Sequence, residues 1–370
     1  MKITTSFDKN NSEVAVERLT ALWALNEAGL GGILHAVNSP FTGIFVGSVA
    51  IVLITLIAYF AEKRTPAILK ATTIVLIIKI MVSPHSPLLA YFAVSFQALA
   101  GAMLFALLSN LRLAALLLGM ISMLETAFQR LLVVTIIYGN SIWESIDIFF
   151  NYVAQQFGVM AAAANFRASL WLIGLYVGIH VFAGIFVGWL AGVLPREIRS
   201  ALRHPVAASA TRAMTATLRY DTGNSRPPWW KRKPAKFMLL LFIIAATSML
   251  LVPVTNRYVK VLYVVLRVLV VLGFWVFVAA PLLMKLLQRF LKHKKSLYRE
   301  EIENALLLFP QFKKYAKLLW PETADKKGWH RWKEFLMALI MFALTFDRAT
   351  SPGENQPALV EQTPEKLDVF

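Results

Sequence analysis

The sequence contains no cysteine, which excludes disulfide bonds and thiolate metal sites. It is also poor in charge: charged residues make up 16% of it, hydrophobic residues make up 58%, and the mean hydropathy is +0.60. A soluble chain of 370 residues would have to bury more apolar surface than one or two cores can hold. These shortages exclude an ordinary soluble protein and predict a membrane protein.

Motifs for several kinds of chemistry are missing as well. The sequence has no HExxH, no Cys/His ligand set, no metal-spaced carboxylate cluster and no Gly-rich phosphate loop ending in Lys-Ser/Thr. It also lacks a serine-centred elbow. His35 and His85 with Glu27 leave an intramembrane hydrolase open, but nothing identifies a nucleophile. We therefore expect no enzyme, no cofactor and no metal.

What the sequence does contain is a series of apolar stretches with the length and composition of transmembrane helices. They span 20–37, 41–60, 69–83, 87–109, 111–137, 168–194, 236–254 and 259–284. The predicted fold is an all-α polytopic membrane protein with about eight transmembrane helices. A six-helix bundle (20–194) is followed by a two-helix hairpin (236–284) and by amphipathic cytoplasmic helices.

The positions of lysine and arginine predict the orientation. Ten basic residues lie in the loop 195–236 and thirteen in the stretch 285–334, all on one side if the eight stretches cross. The other side holds only Arg167 and Arg257. The positive-inside rule then places both termini in the cytoplasm. We expect the protein itself to lie in the cell inner membrane. We expect the basic loop 195–235 to contact anionic lipid rather than nucleic acid.

The segments outside the spans have distinct compositions. Residues 1–19 form a polar N-terminal cytoplasmic segment, and 349–370 have the composition of a disordered tail. In the segment 285–348, apolar residues recur every three or four positions and predict an amphipathic helix pair broken at Pro310. They are Leu297, Ile302, Leu306, Phe309, Phe312, Ala316 and Leu319. Residues 329–346 are predicted to form an interfacial helix or a membrane-dipping hairpin.

Two turns on the predicted outer face have a similar make-up. The turn 35–41 carries His35 and Asn38, and the turn 83–91 carries His85 and Tyr91. Serine, asparagine and proline are also what any short helical connection uses for caps and breaks. The turns are therefore either simple connections or the rim of a shared binding site.

Ionisable residues inside the spans point to the same face, because charge within hydrocarbon is costly and usually meets a partner or a cavity. Lys79 and Arg130 lie in the predicted outer half, and Glu125 lies near the middle. A candidate polar cavity combines these residues with others at similar depth, namely Glu27, Tyr91, Ser95, Gln97 and Gln129. The alternative is that Glu27–Lys79 and Glu125–Arg130 are buried ion pairs without a ligand.

The sixth span contains five glycines in two runs with four-residue spacing: Gly174 and Gly178, then Gly184, Gly188 and Gly192. Small residues at this spacing let two membrane helices approach closely. We expect all five to serve helix packing, with His180 as a hydrogen-bonded interior histidine.

Two short motifs resemble a known family. The stretch ALWALNEAGLGG places Ala24 and Ala28 four residues apart, and LLAYFAVSFQALAGAMLF carries Ser and Gln before a glycine. Residues 20–194 thereby resemble the substrate-binding (S) component of energy-coupling-factor (ECF) vitamin transporters. The resemblance implies a vitamin-sized solute bound near the outer face and a coupling subunit docked on Ala24 and Ala28. Energy would come from partner ATPases. The hairpin and the basic C-terminal segment depart from that pattern.

Two functions follow from these features. The first is a membrane solute-binding and transport component for a small, vitamin-like molecule. The second is a membrane scaffold that recruits a partner protein or lipid through its basic cytoplasmic segment. Unexplained charge in the outer half of the bundle favours the first.

Overall fold

The structure is a computed structural model, and it describes residues 9–36, 42–83, 86–157, 166–202 and 257–345. Within these ranges the chain is helical apart from short turns, and they contain no strand. The helices are α1 (Lys9–Leu25), α2 (Gly31–Ala36), α3 (Thr42–Phe60), α4 (Arg64–Val82), α5 (Leu88–Leu107), α6 (Leu111–Tyr138), α7 (Ser141–Gln156), α8 (Ala168–Leu202), α9 (Arg257–Phe274), α10 (Ala280–Leu297), α11 (Arg299–Glu322) and α12 (Gly328–Thr345). Short π-helical segments join α1 to α2 (Asn26–Leu30) and α9 to α10 (Trp275–Ala279).

Six of the described helical stretches are long and apolar enough to cross a membrane. They are Thr42–Phe60, Arg64–Val82, Leu88–Leu107, Leu111–Tyr138, Ala168–Ser200 and Leu262–Leu297. The prediction of an all-helical, multi-pass membrane protein is thereby confirmed. Of the two further predicted spans, 20–37 is largely helical but is not among the six. The span 236–254 lies outside the described residues.

Helix α3 forms the centre of the bundle, because α1, α4, α5, α6 and α8 all pack against it. A helix that is apolar on every side is buried on every side. Accordingly, a continuous set of its side chains has no exposed surface: Ile51, Leu53, Ile54, Leu56 and Ile57. The remaining helices surround α3, so polar groups that face inward must find partners or water within the bundle.

Two predicted boundaries are wrong because helices continue through proline. Helix α8 runs through Pro195 to Leu202 instead of ending at 194, and α11 runs through Pro310 without the predicted break. A proline removes one backbone hydrogen bond and adds a steric clash, and together these destabilise a helix by about 3 kcal/mol. In both helices, buried apolar side chains on either side of the proline oppose that cost. These are Leu194 and Ile198 in α8, and Leu308, Phe309 and Phe312 in α11.

Two further segments also differ from prediction, and a third decides between two predicted alternatives. The second helix of the predicted hairpin does not end at 284, since the helical stretch continues to Leu297. The connection 138–167 contains α7, which is tied to α8 because Asp147 accepts hydrogen bonds from the backbone N and hydroxyl of Ser169, at 2.7 and 2.9 Å. This carboxylate caps the first turn of α8. Residues Gly328–Thr345 form one helix, which agrees with the helix and not with the hairpin of the two predicted alternatives.

Helices α11 and α12 pack on α1 at the end of the bundle where α4 begins and α8 ends. Lys70 near the start of α4 pairs with Glu301 at 2.8 Å, and Glu197 near the end of α8 pairs with Lys333 at 3.0 Å. Arg18 of α1 donates a hydrogen bond to the backbone oxygen of Leu344 at 3.0 Å. The C-terminal helices therefore cover one end of the bundle and leave the other end free of them.

Candidate functional site

A cavity of about 550 Å³ lies at the end of the bundle where α4 finishes and α5 begins. Its volume suits a small organic molecule. The lining contains apolar residues together with a set of polar ones: Glu27, Thr42, Lys79, Ser83, Ser86, Gln97, Thr126, Gln129, Arg130 and Tyr176. Five of the residues predicted for a polar cavity are thus brought together: Glu27, Lys79, Gln97, Gln129 and Arg130.

Glu27 and Lys79 form a buried ion pair at the cavity wall. The Lys79 Nζ lies 2.6 Å from Glu27 Oε2, and the two side chains are 1% and 3% exposed. Glu27 belongs to the π-helical turn Asn26–Leu30, a distortion that is frequent at functional sites. The ring of Tyr91 lies near the ammonium, with its centroid 5.7 Å from Nζ. The pair is neutral overall, so it adds polarity to the cavity without net charge.

Gln97 forms part of the cavity lining and is almost fully buried, at 3% exposure. Its Oε1 has no hydrogen-bond partner among the described residues. A Cβ at Gly47 would lie 3.1 Å from Gln97 Nε2, so the absence of a side chain at Gly47 leaves room for the amide. Because buried polar atoms are nearly always hydrogen-bonded, Oε1 is available to accept a hydrogen bond from a bound molecule.

Gln129 and Arg130 line the cavity from α6. Gln129 Nε2 donates to the backbone oxygen of Leu89 at 3.2 Å and so joins α6 to the start of α5. Arg130 is exposed, and within the described part of the chain no ion pair joins it to an acidic side chain. Of the two buried ion pairs in the alternative prediction, Glu27–Lys79 forms and Glu125–Arg130 does not. Arg130 therefore gives the cavity an uncompensated positive charge.

Glu125 stands apart from this lining. Both of its carboxyl oxygens are buried and have no hydrogen-bond partner among the described residues. The sequence predicted Glu125 to be one of the solute-binding residues, but Glu125 does not line the cavity. Thr126 and Gln129 of the same helix line it instead.

Tyr91 and Ser95 stabilise the start of α5 rather than line the cavity. The hydroxyl of Tyr91 donates to the backbone oxygen of Ser83 at 3.3 Å, which ties α5 to the preceding turn. The Ser95 hydroxyl donates to the backbone oxygen of Tyr91 at 2.9 Å, within its own helix. Their polarity in the sequence thus reflects local hydrogen bonding.

Described residues beside the two predicted rim turns lie close together. A Cβ at Gly32 would lie 3.2 Å from Ser83 Oγ, and Gly32 and Ser83 both line the cavity. The Oγ atoms of Ser83 and Ser86 lie 2.9 Å apart. Asn38, His85 and the side chain of His35 lie outside the described parts, so their predicted roles stay predictions.

Ala24 and Ala28 are 0% and 5% exposed within this chain. Helix α1 packs against α3, α4 and α11, so the chain's own helices already occupy the face that these alanines form. A docking surface for a coupling subunit has to be accessible. In this conformation Ala24 and Ala28 do not provide one, which corrects that expectation.

Other cavity residues were not identified from the sequence. Thr126 lies on the same helical face as Gln129, and Tyr176 is a polar residue near the start of the sixth span. Gly43 and Gly47 face the cavity from α3, where a side chain would meet Thr126 or Gln97. The three-residue spacing between Thr126 and Gln129 could have identified Thr126 as a lining residue, whereas no local sequence pattern identifies Gly43 and Gly47.

The predicted glycine packing holds for three of five positions. A Cβ at Gly184 or Gly188 would lie 2.7 Å from a backbone oxygen of α6, and one at Gly192 would lie 3.0 Å from Arg112 Cα. Gly174 and Gly178 have no neighbour within 4 Å. His180 is fully buried: its Nδ1 lies 2.9 Å from the Tyr176 backbone oxygen, but its Nε2 lacks a partner in the described residues.

Comparison with known proteins adds no relative. No protein-family model matches the sequence, and no curated protein or solved structure matches it. The argument for function therefore depends on the cavity and its residues.

Proposed function

We propose that this chain is the solute-binding component of a membrane uptake system. The cavity takes a small, vitamin-sized molecule from the outer face of the inner membrane, and both termini lie in the cytoplasm. The observation that carries the proposal is the cavity of about 550 Å³ that contains an arginine without an acidic partner. Arg130 is exposed in a helix long and apolar enough to cross the membrane, and a charge at such a position usually faces a partner or a cavity.

The charges of the lining define the solute class. Glu27 and Lys79 neutralise each other at 2.6 Å, so Arg130 provides the net charge among the lining residues. A guanidinium binds a carboxylate or phosphate with two parallel hydrogen bonds. The unpartnered Oε1 of Gln97 accepts a hydrogen bond from the same solute. The solute is therefore an anion or a zwitterion that also carries an N–H or O–H donor.

Energy for release into the cytoplasm comes from separate subunits, because the sequence contains no phosphate-binding loop of its own. The resemblance to ECF S components supports a coupling subunit with ATPases as those partners. Because Ala24 and Ala28 are buried, such a subunit docks on another face of the bundle.

The scaffold alternative depends on the amphipathic segment that follows the membrane spans. Its apolar residues, including Ile302, Phe309 and Phe312, are buried, and α11 packs on α1. This part of the segment is thus occupied within the chain, whereas Leu297 and Leu307 are exposed. This leaves the solute-binding function better supported.

Native mass spectrometry of the protein in mild detergent tests the proposal. We expect an adduct of vitamin-like mass on the wild-type protein and its loss from Arg130→Gln. Arg112→Gln is the matched control, because Arg112 is an exposed arginine of the same helix at the other end of α6. An adduct that persists in Arg130→Gln, or lipid masses alone on every variant, would contradict the proposed function.

A further inference from the structure

A second polar cluster lies between α5 and α6, and the cavity chemistry does not explain it. Leu118 lies against Gly101, because a Cβ at Gly101 would be 3.4 Å from Leu118 Cδ2, and Gln129 bonds to Leu89. These two contacts fix the antiparallel register of the helices. Between them, Ser122 and Glu125 of α6 face the part of α5 that runs from 93 to 97, which ends at Gln97.

Of the unpartnered atoms in this cluster, three can only accept hydrogen bonds while Glu125 is charged, and the fourth belongs to the Ser122 hydroxyl, which can also donate one. Gln97 Oε1, Ser122 Oγ and both Glu125 carboxyl oxygens are buried and lack a partner among the described residues. Ser122 is 0% exposed and Gln97 is 3% exposed. A charged carboxylate in such a place would be desolvated without compensation, which costs several kcal/mol or more. One additional donor would remove most of the conflict.

We propose that Glu125 is a proton-binding site and holds a proton at neutral pH. A protonated carboxyl group donates one O–H hydrogen bond and keeps an acceptor oxygen. The Ser122 hydroxyl, three positions earlier on the same helix, is the acceptor for this hydrogen bond, and Gln97 Oε1 stays available to the solute. The single proton neutralises Glu125 and adds a second donor beside the Ser122 hydroxyl.

The cavity gives this proton a route to water. Gln97 belongs to the cluster and also lines the cavity, as do Ala93 and Val94 on the same helix. When cavity water reaches Glu125, the carboxylic acid can ionise. Its O–H bond breaks, the electron pair stays on the carboxylate, and the proton passes to a cavity water as hydronium. The group therefore exchanges protons with the side from which the cavity opens.

The other ionisable groups on helices packed against α6 do not neutralise Glu125 or donate a hydrogen bond to it. Tyr91 on α5, His180 and Tyr176 on α8, Asp147 on α7, Arg267 on α9 and Arg130 on α6 itself are the relevant groups, and α3 contributes only Tyr59 near its far end. Within the described residues, neither a hydrogen bond nor an ion pair connects any of them to Glu125. Tyr91, His180 and Asp147 bond instead to Ser83, Tyr176 and Ser169.

Infrared spectroscopy of the protein in lipid nanodiscs tests this directly, with the proton itself as the probe. We expect the carbonyl stretch of a protonated carboxylic acid at neutral pH, a shift of that band in D₂O, and its complete loss in Glu125→Gln. Glu125→Asp retains an acid and is expected to keep a displaced band. Glu27→Gln is the control, because Glu27 is a buried carboxyl group of the same bundle that is paired with Lys79.

The outcomes separate this inference from solute binding, since no solute is added. A wild-type protein without the band, or a band unchanged in Glu125→Gln, would overturn the proton site and leave the solute-binding proposal standing. Size-exclusion profiles of the variants identify any that fail to fold. If Glu125→Gln fails, the pH titration of the band in wild type and in Glu125→Asp still decides: its absence from both overturns the inference.

Discussion

Helices α6 and α8 run side by side, yet the two ends of this pair are built differently. At one end lies the closed seam, formed by Ala115, Gly119, Gly184, Gly188 and Gly192, where backbone meets backbone. At the other lies the cavity end, where Thr126, Gln129 and Arg130 of α6 and Tyr176 of α8 line a space of about 550 Å³. The same two helices thus provide a fixed junction and a binding space.

The difference teaches that four-residue spacing of glycines does not by itself seal an interface, because the facing helix must lie close at the same level. Gly184 and Gly188 of α8 meet Ala115 and Gly119 of α6. Gly174 has the same four-residue spacing from Gly178 but meets no neighbour within 4 Å. Close packing therefore depends on the facing sequence.

The largest effect is expected from breaking the ion pair at the cavity end. Lys79→Met leaves the Glu27 carboxylate buried without its partner, and removing one member of a buried pair costs about 3–5 kcal/mol. Thermal unfolding in detergent measures the loss. The double variant Lys79→Met/Glu27→Gln is expected to recover much of it, because no lone charge remains. A single variant as stable as wild type would contradict the pairing.

The next largest loss of stability is expected when a side chain is added inside the closed seam rather than outside it. A Cβ at Gly119 would lie 2.3 Å from the Gly184 backbone oxygen, so Gly119→Val forces α6 and α8 apart. Overpacking of this kind costs about 1–3 kcal/mol, or more when backbone blocks the way. The matched control is Gly178→Val, which enters open space and is expected to leave the melting temperature nearly unchanged. Equal effects at both glycines would remove the distinction between the ends.

A smaller effect of opposite sign is expected at Gln97. A buried acceptor without a partner costs about 1–3 kcal/mol, and methionine has a similar shape without that atom. Gln97→Met is therefore expected to raise the stability of the free protein by about 1 kcal/mol while the solute adduct is lost. Melting curves and native mass spectra of the same sample provide the two readouts. Lower stability together with a retained adduct would indicate that Gln97 is structural.

The smallest effect concerns the C-terminal helices beside the closed seam. Partial burial acts to raise the pKa of Glu301, but the hydrogen bond and charge of Lys70 outweigh it, and the pKa lies below its ordinary value. The Lys70 and Glu301 side chains are 46% and 21% exposed, so we expect only about 0.5 kcal/mol from this pair. Because the folded-state pKa is lowered, that stability is present at neutral pH and is lost as the pH falls through it.

Melting temperatures of Glu301→Gln and wild type across acidic pH measure this contribution. The difference is expected to vanish in acid. Glu303→Gln is the control on the same helix, because Glu303 pairs with Arg299 where both side chains are mostly exposed. A Glu301→Gln difference that is independent of pH would exclude the carboxylate as its source.

Much of the fold could be predicted from the sequence, because apolar length and the cost of charge in hydrocarbon operate locally. Glu27 and Lys79 were identified in this way, and they meet. Contacts between distant segments were not predictable: the register that encloses Glu125 depends on how α5 packs on α6. The continuation of α8 through Pro195 likewise depends on burial of Leu194 and Ile198, which no local pattern reveals.

Cysteine accessibility tests the central claim most directly, because the sequence has no native cysteine to interfere. Ala93→Cys places one thiol in the cavity lining, and Ala115→Cys places one in the closed seam, where the residue is 0% exposed. A membrane-impermeant maleimide is added from outside to intact cells. We predict labelling of Ala93→Cys and none of Ala115→Cys until the protein is denatured. An unlabelled Ala93→Cys, or equal labelling of both, would contradict a cavity open to the outer face.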